Sequence, residues 1–164
     1  MMHILHDVFL HGICPFVGTI AFAAMFNVPR RFYISCGMTG LSGWLTYLLA
    51  DRYVTVATAT FFGAVVVVLI SRMLTVKKRC PITVFLVSGI FPLIPGAKIY
   101  NTAFSLVNSH LSSALESGFE ALKIAFAIVL GIVFIVAIPR ELFRVEYWRR
   151  RRPNRMIKSG EKIK

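Results

Sequence analysis

The sequence predicts an all-α integral membrane protein of about five transmembrane helices, the fourth broken between Pro92 and Gly96. Three observations predict it. Of 164 residues, 57% are hydrophobic and 16% charged, against about 45–50% apolar and about 25% charged in a soluble domain. Mean hydropathy is +0.71. Apolar runs near the ~20 residues that a bilayer core requires alternate with short charged segments. Finally, residues 91–100, FPLIPGAKIY, set two prolines, a glycine and a lysine inside an apolar stretch.

The first run covers about 8–26 and ends at Asn27, Val28, Pro29, Arg30 and Arg31. The opening MMHILHD lacks the basic region of a signal peptide, so this run is expected to stay as a helix. The second, about 32–50, stops at Asp51 and Arg52. The third, about 53–70, holds AVVVVLI and is followed by Arg72, Lys77, Lys78 and Arg79. The fourth extends from Ile82 to Ser112, and the fifth, about 122–138, contains IAFAIVLGIVFIVAI. Residues 1–147 therefore form a transmembrane domain and 148–164 a basic tail. Lys and Arg favour the cytoplasmic side. The loops at Arg30–Arg31 and Lys77–Arg79 and the tail are assigned inside, which places the N-terminus outside and the C-terminus in the cytoplasm. Glu116 and Glu120, ahead of the fifth run, read as solvated loop charges on the outer side.

Gly37, Gly40 and Gly43 recur every three residues in GMTGLSG. Small residues let helices approach closely in lipid, so these predict a helix–helix contact. Thr39 and Ser42 leave open a cavity-lining role for the same face.

The fourth segment is the informative one. Its 31 residues exceed what a straight span needs. Pro92 and Pro95 each remove a backbone donor and clash with the preceding turn, about 3 kcal/mol in a helix interior. The expected result is a half-helix from about Ile82 to Phe91, an unwound link, and a second helix starting near Ala97. Such breaks are tolerated where protein or a watery cavity covers the freed backbone, and transporters build sites from them. The second helix would direct its N–H groups into the break, and Lys98 adds a full charge. Together these favour an anion, most simply a carboxylate. Lys98, Asn101, Thr102, Ser105, Asn108, Ser109 and Ser112 then recur at three- and four-residue steps as a polar stripe. An unpaired lysine at this depth costs about 2.5–3.5 kcal/mol on insertion scales, which argues for a role. The stripe fits equally well as inter-helix glue.

Asp7 and His11, four residues apart, are weaker candidates for carrying protons. Trp148 with Arg149–Arg152 fits an interfacial anchor on anionic lipid. The net charge of +12 sits at the ends of apolar runs and in the tail, a pattern of topology rather than of nucleic-acid binding. Cys14, Cys36 and Cys80 have no metal-ligand spacing and read as small buried hydrophobes. No nucleotide-binding, zinc or hydrolase motif is present, so no cofactor, metal or catalytic residue is expected, and no enzyme.

Phe26, Asn27, Val28 and Pro29, the stretch GMTGLSG, and Pro92, Pro95, Gly96 and Tyr100 together resemble the threonine/serine exporter family, specifically its smaller membrane half. The resemblance covers roughly residues 5–145. It implies export of small carboxylated metabolites (threonine and serine, or dicarboxylates) driven by the proton gradient across a bacterial inner membrane. It also implies a larger membrane subunit as partner. Lys98 departs from the family pattern, which leaves two roles open for it, tuning selectivity or facing solvent. The expected substrate-binding set is Pro95, Gly96, Lys98, Tyr100, Asn101, Thr102 and Ser105. The rival expectation is a structural or assembly subunit that does no transport itself.

Overall fold

The computed structural model describes residues 12–138, and the regular elements among them are all helical. In chain order they are α1 (Cys14–Met25), α2 (Tyr33–Asp51), α3 (Val56–Lys78), α4 (Thr83–Ile90), α5 (Gly96–Val107) and α6 (Leu111–Val136). Single 3-10 turns at Arg30–Phe32 and Phe91–Leu93 lead into α2 and follow α4.

The turn after α1 shows how the sequence sets a local boundary. Asn27 takes φ 54°, the left-handed conformation that asparagine tolerates better than most residues. Its N–H reaches the Ala24 carbonyl at 3.1 Å, and the Val28 N–H reaches Ala23 at 3.0 Å. This pair of bonds satisfies the last carbonyls of the helix, and Val28 packs its side chain into the core beside Ala23 and Phe32. Pro29 then prevents continuation.

α2 is the hub. Gly37 and Gly40 receive α1: a Cβ at Gly40 would collide with the Thr19 side chain, and one at Gly37 would stand 2.6 Å from the Phe16 ring. Gly43 meets α3, where Gly63 lies 3.0 Å (from its virtual Cβ) from the Gly43 carbonyl. α4 lies against the same hub, with Gly89 on Thr39. The glycine stretch is thus a helix–helix contact, as its spacing predicts. Thr39 is fully buried, and its hydroxyl donates to the Ser35 carbonyl at 2.8 Å. α6 docks on α3 through Gly131, whose virtual Cβ lies 2.9 Å from Ala64.

Three boundaries differ from the sequence expectation. The fourth segment ends with α5 at Val107 and not at Ser112, so Asn108 and Ser109 of the expected stripe lie in the link and Ser112 lies on α6. The third helix does not stop near residue 70 but continues through Arg72 to Lys78. Arg72 is buried, and its guanidinium donates to the carbonyls of Val136 (2.9 Å) and Ile138 (2.7 Å). A cation there satisfies orphan carbonyls and the negative end of the α6 dipole. The last helix begins at Leu111, eleven residues before the expected start, so Glu116 and Glu120 lie on a helix and not in a loop. Leu111, Leu115 and Leu122 keep one apolar face running through that stretch, and no proline or glycine cap interrupts it.

By length and apolarity, α3 and α6 each suffice to cross a membrane. The pair formed by Thr83–Leu93 and Gly96–Val107, bent by 55°, makes a third if it is one span. α1 has 12 residues within the described range, and α2, though 19 residues long, spends its composition on Gly, Ser, Thr and Tyr for packing. Asp7, His11 and the basic tail 148–164 lie outside the described residues.

α3 and α6 run side by side in the same direction, since Ala64 meets Gly131 and Arg72 meets the α6 C-terminus. One end of the bundle gathers positive charge. Arg31 lies over the Phe32 ring at 4.6 Å, and Lys78 bonds Ser35 at 2.7 Å beside the same ring.

Candidate functional site

Pro95 decides the local geometry of the break. The residue before a proline is pushed to extended backbone, and Ile94 takes φ −67°, ψ 131°. Pro95 itself (φ −77°, ψ 58°) forms an inverse γ-turn, closed by the Gly96 N–H on the Ile94 carbonyl at 2.8 Å. Non-helical backbone is therefore confined to Ile94 and Pro95, shorter than the link expected from Pro92 onward. Leu93, just before the turn, is buried between Gly43 and Gly63 and pins the break to the α2–α3 contact. Gly96 opens α5 with nothing within 4 Å of its virtual Cβ.

α5 turns part of its polar stripe toward α6, while Asn101 and Asn108 are exposed. Lys98, Thr102 and Ser105 are half-buried, while Ile99, Tyr100, Phe104, Leu106 and Val107 are exposed. Thr102 packs 3.4 Å from the virtual Cβ of Gly118, and its hydroxyl donates to the Lys98 carbonyl at 2.8 Å. An amphipathic helix with its polar face inward is inverted for water and suited to lipid or to an apolar partner. The three-residue link to α6 is set by Ser109 at φ 60°, which closes α5 with the same kind of turn as Asn27 closes α1.

Because α5 and α6 are antiparallel here, Lys98 meets Glu120 in an ion pair. Lys98 is thus not the unpaired cation that the sequence suggests. Lys123 follows Glu120 by three residues, the spacing that makes helix neighbours. These three charges, with Ile124 and the start of α3 (Thr55, Val56, Ala57), line an open cleft of about 450 Å³. It lies at the end of α3 remote from Lys77–Arg79. Thr55 adopts the extended backbone of an N-cap but makes no cap bond, its hydroxyl being shared with Thr58 at 3.0 Å. The first-turn N–H groups of α3 therefore face this end without a side-chain acceptor from Thr55. The cleft offers two ammonium groups, a helix N-terminus and one carboxylate.

The predicted set is split by the fold. Lys98 lines the cleft, and Asn101, Thr102 and Ser105 continue its face of α5. Pro95 and Gly96 shape the break without lining the cleft. Tyr100 lies on the opposite face, stacked on Phe104 at 6.1 Å. Glu120, Lys123 and the α3 start were not among the expected site residues. The signal for the acid and the lysine was present in the three-residue spacing and in the leucine periodicity that carries α6 upstream of Leu122. Nothing local in Thr55–Ala57 announces a neighbour some forty residues away.

A family model described as Threonine/Serine exporter, ThrE, matches residues 11–138. An uncharacterized protein of Haemophilus influenzae is 32% identical over 148 residues, which is 87% of this chain and 48% of that protein. The chain thus spans about half the length of this relative. No solved structure matches the chain.

Proposed function

Since the chain belongs to the threonine/serine exporter family, a family of transporters, we propose that it is the membrane subunit of an exporter of small carboxylated metabolites, threonine and serine or dicarboxylates. The observation that carries the reading is the open cleft between α5, α6 and the start of α3, where Lys98, Lys123 and the α3 N-terminus, with Glu120 as the one carboxylate, line a space the size of a small anion. In this reading α1, α2, α3, the bent α4–α5 pair and α6 are five spans. The basic end faces the cytoplasm of a bacterial cell, the N-terminus lies outside, and the cleft opens at the outer end as a vestibule. Export is coupled to protons, with Asp7 and His11 as carriers, and a larger membrane subunit completes the pathway. The length of the Haemophilus relative supports that partner, because it carries about as much chain again. The basic tail rests on anionic lipid, and nothing points to nucleic acid.

The deciding measurement is efflux of labelled threonine, serine or succinate from loaded cells. Lys98→Ala is expected to slow efflux at least several-fold while the protein still reaches the membrane. A second reading, a subunit that stabilises a partner without transporting, draws on one observation: Lys98 is already paired with Glu120. Unchanged efflux in Lys98→Ala, with Glu120 intact, would favour it.

A further inference from the structure

We propose that Glu120 sets the charge selectivity of the cleft, admitting a ligand that carries an ammonium beside its carboxylate and disfavouring one that carries two carboxylates. The inference rests on the cleft being the substrate site and adds a residue with a discriminating role.

The argument begins with the ion pair. Lys98 and Glu120 come from different helices, and both side chains remain close to half exposed. An exposed pair of this kind is screened by solvent and adds little stability, so a ligand can open it at little cost. The charges cannot be left unmatched once it opens. An α-amino acid, whose ammonium and carboxylate are separated by a single carbon, replaces both partners together: its carboxylate takes Lys98 and its ammonium takes Glu120. Lys123, a helix neighbour of Glu120, and the first turn of α3 line the same cleft as further positive groups. A dicarboxylate finds the same cations but leaves Glu120 facing a second anion, a repulsive element of the kind that produces discrimination between similar ligands. Glu120 is held in position from below and beside. Ala114 and Ile124 are buried on α6, and Thr102 of α5 packs on Gly118 two residues before it. The stretch of α6 that carries it therefore stays at the cleft whether or not Lys98 is engaged.

Binding is read on the purified full chain by scintillation proximity with tritiated serine and labelled succinate, for wild type, Glu120→Gln, Glu120→Asp and Lys98→Ala. Wild type is expected to prefer serine. Glu120→Gln should weaken serine about tenfold, the scale of one charged hydrogen bond, and strengthen succinate several-fold, while Glu120→Asp keeps the wild-type order. An unchanged serine-to-succinate preference in Glu120→Gln overturns the proposal. If wild type takes both ligands equally and Lys98→Ala loses both, the carboxylate site stands and the role of Glu120 fails. If wild type binds neither ligand, or Lys98→Ala binds both as wild type does, the site itself fails.

Discussion

Gly40 and Gly96 occupy opposite extremes, and the difference is one of surroundings. At Gly40 any side chain meets Thr19 of α1, a fully buried residue whose hydroxyl already donates to the Pro15 carbonyl at 2.6 Å. Gly40→Val is expected to destabilise by about 1–3 kcal/mol, the usual range for overpacking, seen as a lower unfolding midpoint in detergent. Gly96 has open space and an ordinary helical backbone, so Gly96→Ala should fold as well as wild type or gain about 0.4–1 kcal/mol. A lower midpoint for Gly96→Ala would show that α5 is packed more closely than the structure indicates.

Among the elements, α6 does most to join parts of the fold. Its C-terminal half packs on α3 through Gly131, Ile128 and Ile124, and its N-terminal half carries α5. The two ends are held by different physics. Ile124 and Ile128 bury apolar surface with Leu93, Val67 and Ala64, whereas the carboxyl end is tied by the Arg72 guanidinium. Arg72→Met is expected to free the last turn of α6 at a cost of about 1–3 kcal/mol for the unsatisfied carbonyls. Amide exchange should rise at residues 135–138 and stay unchanged around Ile124. The α5–α6 hairpin, fixed mostly by Thr102 on Gly118 and by the Lys98–Glu120 pair, should be the more mobile end, since an exposed pair adds little.

At the scale of the whole molecule, charge separates the two ends. Arg31 and Lys78 cluster on Phe32 at one end, and the cleft with its mixed charges lies toward the other. The five-span reading predicts that single cysteines placed at residues 53 and 110 react with a membrane-impermeant maleimide in intact cells. A cysteine at residue 79 should react after the cells are opened. The reverse pattern would invert the topology and place the cleft in the cytoplasm. The large apolar face of α5, with Val107 84% exposed, requires lipid or a partner to cover it. Co-purification of the tagged chain with a larger membrane protein is the expected result.

The sequence by itself determined the helical membrane class, the existence and place of the break, and the packing role of GMTGLSG. Each rests on information within a few residues: apolar content, the missing N–H of proline, and a three-residue repeat of small side chains. It also carried the family, because motifs are local. The count of spans was less legible, since α2 trades apolarity for packing and the bent pair can be measured as one helix or two. The tertiary structure alone decided what Lys98 faces. Whether that lysine stands free or paired depends on how α5 folds back on α6, and that register follows from the Ser109 turn and the Thr102–Gly118 contact. The same fold drew Glu120 out of a supposed loop and set it, with Lys123, beside the first turn of α3. Contacts across forty residues of chain arise from helices choosing neighbours, and neither the charge nor the spacing of one segment specifies which neighbour it will meet.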